Sequence, residues 1–506
     1  MNLLSLKFLI FSPILISAIF LLPIFTGKSV LTRRLAILFS GMHFFYTVLF
    51  LIFFNNSLIY NFPSEITIAG QSWLSSLGIS LSFGVDGISM TLVFLTSFLV
   101  FISCMASKGC IKSKFSLFYA LIFILETSVL GVFCARDMFE FFLFWELELI
   151  PMYFLISLWG SGEAKKSAMK FLLYTFIGSL FMLCGLLMIY NFNFISTSEL
   201  TADMGRINFD YQTSPIYLQI FAAILVFIGF AVKLPIVPLH TWLPDAHTNA
   251  PTPVSMILAG ILLKMGAYGI IRFNIQILQD TFYILVPYLL ILAFISIVHS
   301  AFVAYNQSDI KRIVAYSSIS YMGLVLIGLC SLTVMGTTGA VFLMFAHGIV
   351  SAGLFYCVGI IYNRTGTREI SQLSGFANNM PKLASFACVL VLAGIGLPLL
   401  ISFPGEFMLF FGTFISIILN SYLIQIITIM SIVILILSAA YSFKLLHGVF
   451  FGESFERWRD VKDIISHEFI ILFIFTGTAC LFGVMPMTLT DYILPAVKHV
   501  LVALGG

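Results

Sequence analysis

The sequence contains very little charge: only 9% of its 506 residues are Asp, Glu, Lys or Arg, while 60% are hydrophobic. Soluble globular proteins carry roughly a quarter charged residues, so this composition excludes the water-soluble classes. Its apolar runs are unbroken, whereas the strands of a membrane β-barrel alternate every second residue. The composition therefore predicts an all-α polytopic membrane protein with enough apolar residues for about fourteen spans of ~20 residues.

Motifs for metals, phosphates and nucleic acids are also missing. The eight cysteines are scattered without a Cys-X-X-Cys pair, which argues against a metal cluster or a redox dithiol. The glycine-containing run "GTTGA" at 336–340 lacks the lysine of a phosphate-binding loop. With a net charge of only +3 and no basic patch, nucleic acid is not an expected partner. We expect no metal and no cofactor in this chain, and membrane lipids as its surroundings.

Apolar runs separated by charged or turn residues predict the spans directly. The fourteen predicted spans lie near 7–25, 34–54, 84–106, 115–135, 137–158, 165–190, 215–235, 254–276, 281–303, 309–331, 336–362, 383–418 with an interruption, 421–450 and 465–490. The segment 55–83 alternates like strands and lacks Lys and Arg, which predicts a small hairpin or an interfacial segment at the outer face.

The lysines and arginines predict the orientation. Loops on one side hold 18 of the 25, the other side and the termini hold 5, and Lys233 and Lys264 fall inside spans. Because positive residues favour the inner side, both termini are predicted to lie outside. The even number of predicted spans agrees, because it places both termini on the same side of the membrane.

Two spans are interrupted by proline, and the interruptions are spaced like a repeat. Pro238 and Pro404 are 166 residues apart, and the fourth and ninth predicted spans begin 166 residues apart. An offset of five helices inverts the second copy, so the spacing predicts two inverted five-helix repeats, each with a proline-broken helix. The predicted division is 1–114 for the N-terminal helices and hairpin, 115–276 and 281–450 for the repeats, and 451–506 for an inner loop and last helix.

Ionisable residues within spans are costly and usually face a polar pathway. The residues of this kind are Glu126, Glu146, Lys233, Lys264, Glu406, His240, His299 and His347. Alternating carboxylate, amine and imidazole groups can pass a proton, because charging one group changes the proton affinity of the next. A static Glu146–Lys233 ion pair and a packed His347 are the structural alternatives. Glu148, two residues from Glu146, is expected on the opposite helical face.

Four segments together resemble a known family of membrane subunits. The segments are "FWELELIPMYFLISLWG" (144–160), "KLPIVPLHTWLPDAHTNAPTPVSMILAGILLKMGAYGIIRF" (233–273), "DIKRIVAYSSISYMG" (309–323) and "FPGEFMLFFG" (403–412). They are similar to the antiporter-like membrane subunits of respiratory NADH–quinone oxidoreductase (complex I), in particular subunit 4. The resemblance covers about residues 84–450.

The resemblance implies roles for four residues in proton translocation. Glu146 and Lys233 resemble the family's glutamate–lysine pair, Lys264 its central lysine, and Glu406 its residue on the exit side. His240, His299, His347 and Glu126 are additional candidate relay members. Tyr321 replaces a histidine that is frequent in the family, so we expect water or His299 to complete the relay there.

The same resemblance implies cofactors, partners and a location outside this chain. NAD, FMN, the iron–sulfur clusters and quinone would bind to other subunits, and the related subunits 2 and 5 would be neighbours. The expected location is the mitochondrial inner membrane, with the bacterial plasma membrane as the alternative. An Mrp-type cation/proton antiporter subunit, a membrane hydrogenase subunit and a purely scaffolding subunit remain as other interpretations.

Overall fold

The computed structural model describes residues 4–22, 29–59, 66–207, 215–416 and 421–501. Lys28 of the predicted inner loops and residues 60–65 of the predicted hairpin lie outside these ranges. Twelve described helices are long and apolar enough to span a membrane. Two shorter apolar helices, Leu6–Phe20 and Pro381–Ile395, complete the fourteen predicted spans.

The N-terminal part combines three helices with a small hairpin. Its elements are α1 (Leu4–Phe20), α2 (Ser29–Ile59), β1 (Ile66–Leu74), β2 (Ile79–Val85) and α3 (Gly87–Ala106). The two strands pair antiparallel from Ile66↔Val85 to Leu74↔Ile79, which confirms the predicted hairpin within the described residues. Asp86 begins α3, because its side chain accepts a hydrogen bond from the Ser89 amide.

The first repeat contains more breaks than the sequence predicts. Its helices are α4 (Phe115–Cys134), α5 (Met138–Leu147), α6 (Leu149–Trp159), α7 (Ala164–Thr197), α8 (Ile216–Lys233), α9 (Trp242–Asn249), α10 (Thr252–Ile257) and α11 (Leu263–Gly269). The predicted break separates α8 from α9. A π-helical segment follows α10 at Leu258–Leu262, and another follows α11 at Ile270–Ile275. The predicted fifth span is divided at Glu148. Pro151 explains that division, since it cannot donate a hydrogen bond to the Leu147 carbonyl.

The second repeat and the C-terminal part follow the prediction more closely. Their helices are α12 (Gln279–Asn306), α13 (Ile310–Cys330), α14 (Val334–Thr365), α15 (Phe376–Asn379), α16 (Pro381–Ile395), α17 (Ser402–Phe414), α18 (Ser421–Phe450), α19 (Ser466–Val484) and α20 (Met487–Leu501). The predicted break lies between α16 and α17. It precedes Pro404, which occupies the first turn of α17, where a missing amide hydrogen is tolerated.

Helix α20 was not predicted as a separate element. It packs on α14 and α3 through Ile493, Val497 and Val500, which recur at helical spacing and are buried. Its opposite face carries Asp491 and Lys498, so its mean hydropathy is too low for a spanning segment. The sequence search for long apolar runs therefore did not detect it.

Two helices form the centre of the molecule. The segment Thr252–Ile275 is completely buried, and α14 is nearly so. They approach closely because glycines face each other: a Cβ atom on Gly348 would lie 2.9 Å from the Gly260 carbonyl oxygen. Small residues at a crossing let membrane helices pack backbone to backbone. This crossing places the neighbouring Lys264 and His347 opposite each other.

Candidate functional site

Lys264 lies at the centre of the molecule and has a direct side-chain partner. Its Nζ atom is 2.8 Å from Nδ1 of His347 and donates a hydrogen bond to the Ala259 carbonyl at 2.5 Å. Both side chains are buried. An ammonium can only donate, so a charged Lys264 requires Nδ1 of His347 to accept and the imidazole to be neutral. The sequence showed no neighbour for this lysine, and the structure supplies His347.

Tyr321 connects His347 to Glu406. The rings of Tyr321 and His347 have centroids 5.3 Å apart, and the Tyr321 hydroxyl lies 3.3 Å from Oε1 of Glu406. The same hydroxyl donates to the Gly394 carbonyl. Glu406 is buried and occupies space that only a glycine at Gly396 leaves free, since a Cβ there would collide with its carboxylate. Lys264, His347, Tyr321 and Glu406 therefore form one continuous row.

Of the two expected substitutes for the family histidine, water and His299, the prediction of His299 was wrong. His299 is exposed, and its ring contacts His240 at 5.1 Å between centroids rather than His347 or Glu406. Tyr321 itself occupies the linking position. A cavity of about 30 Å³ borders Tyr321 and His347, with Ser317 and Tyr441 in its wall. That volume has room for water, which would give Nε2 of His347 a partner.

The ion pair of the first repeat differs from the predicted one. The Lys233 ammonium contacts Oε1 of Glu148, and both side chains are buried. The prediction that Lys233 pairs with Glu146 and that Glu148 faces away was wrong. Glu148 lies at the junction between α5, which ends at Leu147, and α6, and only the tertiary structure decides which of the two glutamates the Lys233 ammonium reaches.

Glu146 remains close to the same lysine without contacting it. It is partly buried, acts electrostatically on Lys233, and lies beside Ser179 of α7. Its Oε1 atom has no hydrogen-bond partner among the described residues. The Lys233 ammonium also lies 5.4 Å from the ring centroids of Trp145 and Phe171. The first repeat thus holds one lysine, two carboxylates and two aromatic walls.

Two remaining candidates lie off the central row. Glu126 of α4 pairs with His43 of α2 through Oε1 and Nδ1 at 2.9 Å, and Nε2 of that histidine is 2.9 Å from the Leu9 carbonyl. Buried His240 follows the first break, next to His299. These contacts join neither Glu126 nor the His240–His299 pair to the row.

Sequence reasoning missed one more buried histidine. His247 of α9 is fully buried, stacks on Phe355 at 4.5 Å between centroids, and has no hydrogen-bond partner among the described residues. The charged groups that act on its imidazole are Lys264 and Lys311. The prolines of the run "KLPIVPLHTWLPDAH" predict the break, and its last histidine was a usable signal for a further buried group.

A larger cavity reaches this region from the predicted inner face. It measures about 250 Å³ and is lined by Lys112, Lys311 and Arg368, which belong to the predicted inner loops or begin the helix beside them. Lys311 is a buried member of its wall and donates a hydrogen bond to the Ala250 carbonyl at 2.6 Å. The described residues contain no cluster of three or more side chains that could hold a metal ion. The arrangement is suited to moving protons between buried groups.

The middle of the chain matches a known family. Residues 135–436 match the family described as NADH:quinone oxidoreductase/Mrp antiporter, transmembrane. NADH-quinone oxidoreductase subunit M of Rickettsia felis is 36% identical over 481 residues, covering 94% of this chain and 93% of the relative. NAD(P)H-quinone oxidoreductase chain 4 of Acaryochloris marina is 40% identical over 402 residues, covering 79% and 72%.

Solved structures share the fold. A chain of respiratory complex I from Thermus thermophilus aligns over 99% of this chain and 100% of its own length, with a TM-score of 0.86 and 27% identity. A chain of the Mrp complex from Dietzia aligns over 99% and 98%, also with a TM-score of 0.86 but with 19% identity. The second likeness shows a common fold alone.

Proposed function

We propose that this chain, which belongs to the NADH:quinone oxidoreductase/Mrp antiporter membrane-subunit family, is a proton-translocating membrane-arm subunit of a respiratory NADH:quinone oxidoreductase. The observation that carries the proposal is the row Lys264–His347–Tyr321–Glu406. Each member can bind or release a proton, or donate and accept a hydrogen bond, and all four are buried. Ionisable groups buried within membrane spans cost free energy, and those that are present usually belong to a proton or ion pathway.

The contacts indicate how a proton would move along the row. A charged Lys264 donates a proton to Nδ1 of His347, and the imidazole releases the one on Nε2 toward the small cavity it shares with Tyr321. The Tyr321 hydroxyl can donate to an ionised Glu406 or accept from a protonated one, because Gly394 offers it a second acceptor. Glu406 then releases the proton on the outer side.

The first repeat supplies the control over that row in our proposal. Electron transfer takes place in other subunits and changes the ion pairing of Lys233. Because charges in a low-dielectric interior act over several ångströms, that change alters the proton occupancy of Lys264. Uptake from the inner side is supported by the large cavity whose wall includes Lys311, and by His247, which is within electrostatic reach of Lys311 and Lys264.

The proposal includes the partners, the location and the lack of a cofactor. NAD, FMN, iron–sulfur clusters and quinone are assigned to other subunits, and the related subunits 2 and 5 are proposed as neighbours. Phenylalanine accounts for 55 residues, which is compatible with an organellar genome and the mitochondrial inner membrane. The relatives named above are bacterial, and for a bacterial chain the membrane would be the plasma membrane. Co-purification with flavin and iron–sulfur subunits separates this function from an Mrp antiporter or hydrogenase subunit.

Replacing the central lysine tests the proposed function. We expect Lys264→Ala to lower the protons translocated per NADH oxidised by about tenfold or more, because the row loses its first donor. The matched control is Lys166→Ala, whose side chain is 78% exposed in a surface pair with Glu163. Both variants are measured in the assembled complex in vesicles. Normal pumping by the Lys264 variant would remove this residue from the pathway and favour a scaffolding role.

A further inference from the structure

One lysine in the first repeat faces two carboxylates. Lys233 contacts Glu148 at the junction between α5 and α6, and Glu146, in the last turn of α5, acts electrostatically on the same ammonium. Each glutamate keeps one buried oxygen without a hydrogen-bond partner among the described residues: Oε1 of Glu146 and Oε2 of Glu148. A simple ion pair between Lys233 and Glu148 does not require a second carboxylate near the ammonium.

Charge counting determines how many protons the three groups hold. With Lys233 charged and both glutamates ionised, the group would carry a net negative charge inside the membrane. A buried excess charge is costly, and two neighbouring carboxylates do not readily ionise together. The neutral arrangement has one charged lysine, one ionised glutamate and one protonated glutamate. Since Glu148 contacts the ammonium, Glu148 is the ionised partner and Glu146 carries the proton.

We propose that Lys233 exchanges between Glu148 and Glu146, and that one proton moves between the two carboxylates in the opposite direction. When the ammonium moves to Glu146, the O–H bond of Glu146 breaks and an O–H bond forms on Glu148. The number of protons and the net charge stay constant, so the exchange needs no external reactant. Glu148 is then a second proton-carrying member of the first repeat, in addition to the glutamate implied by the family resemblance.

The surroundings of the lysine suit such an exchange. Lys233 is the last residue of α8, so its four-carbon side chain leaves a helix end rather than a packed helix centre. Trp145 and Phe171 hold the ammonium at 5.4 Å from both ring centroids, a distance at which aromatic faces attract cations. Such faces can stabilise the ammonium while it changes partner without trapping it, because they form no directional ion pair.

The distinguishing experiment uses Glu146→Gln and Glu148→Gln in the complete complex. Each is examined by infrared difference spectroscopy in the carboxylic-acid C=O region, with proton flux per NADH measured on the same samples. Glu146→Gln should remove the band of the protonated acid. Glu148→Gln should remove the same band, although Glu148 is ionised in the unmodified protein, because Lys233 then pairs with Glu146 and ionises it. Flux should fall at least several-fold in both variants.

Two further variants serve as controls. Glu163→Gln changes a surface glutamate whose side chain is 72% exposed, and it should leave band and flux unaltered. Glu148→Asp keeps the charge and should restore the band and part of the flux if the glutamine variant assembles poorly. A band that persists in Glu148→Gln, or one that is absent before mutation, would overturn the exchange.

The inference rests on the proposed function, and the two can fail separately. Normal flux in Lys264→Ala rejects proton translocation through the row. Loss of flux in Lys264→Ala together with an unchanged band and normal flux in Glu148→Gln rejects only the exchange.

Discussion

The two repeats share a broken helix but use it differently. In the first, the cationic Lys233 is the last residue of the half-helix before the break. In the second, the acidic Glu406 lies near the start of the half-helix after the break. A helix C-terminus favours a cation, so Lys233 lies at the end whose dipole it complements, whereas Glu406 lies beyond the first turn of α17, where that effect has fallen off. The repeats therefore conserve the break while reversing the sign of the charge beside it.

The partners of those charges differ as well. Lys233 is held by a carboxylate and forms an ion pair. Glu406 lies beside the Tyr321 hydroxyl and belongs to a row in which hydrogen bonds and one ring contact, between Tyr321 and His347, take the place of an ion pair. An ion pair responds strongly to a nearby charge, whereas a row of hydrogen bonds can pass a proton. The charge beside the first break is therefore placed to respond to other charges, whereas the charge beside the second break ends the row that conducts.

Removing Lys233 should have the largest effect, because it breaks the ion-pair side of the comparison. Lys233→Met leaves Glu148 buried without its cation, which typically costs about 3–5 kcal/mol. We expect little assembled complex from this variant, measured by native gel electrophoresis of solubilised membranes. Adding Glu148→Gln should recover assembly but not proton flux. Equal assembly of the single and double variants would show that the Lys233–Glu148 ion pair does not stabilise the assembled complex.

Changing Glu406 should have the next largest effect, on the conducting side. Glu406→Gln keeps shape and hydrogen bonding but cannot ionise, so flux per NADH should fall by about tenfold or more. Glu406→Lys restores a titratable group, as the resemblance implies for subunits 2 and 5, and should recover part of the flux. A scaffolding residue would show the opposite order, since a reversed buried charge costs more than an amide. Proton flux is compared between variants in vesicles that oxidise NADH at the same rate.

Tyr321 should show the smallest of these effects and the sharpest distinction. Tyr321→Phe keeps the ring beside His347 but removes the hydroxyl that lies 3.3 Å from Oε1 of Glu406, and we expect flux to fall several-fold. Tyr321→His introduces the residue frequent in the family and should retain most of the flux, because imidazole also donates and accepts. Similar flux from the two variants would mean that the hydroxyl takes no part in the row.

The spans, the two proline breaks and most of the ionisable candidates could be predicted from the sequence. These features depend on local composition: an apolar run long enough to cross a membrane, a proline within it, or a lysine such as Lys264 where charge is costly. The outer hairpin was likewise readable from its alternation. Helix α20 was not, because its apolar face follows helical spacing rather than forming a run.

The partners of the charged residues were decided only by the tertiary structure. Lys233 meets Glu148 across 85 positions of sequence, and Lys264 meets His347 across 83. Such contacts depend on which helices cross and on their rotation. The Lys233 ammonium reaches Glu148 at the junction of α5 and α6, and the Gly260–Gly348 crossing brought His347 to Lys264. The sequence determined which groups had to be buried in the membrane, and packing decided which of them touch, because a contact is a property of two segments and not of either alone.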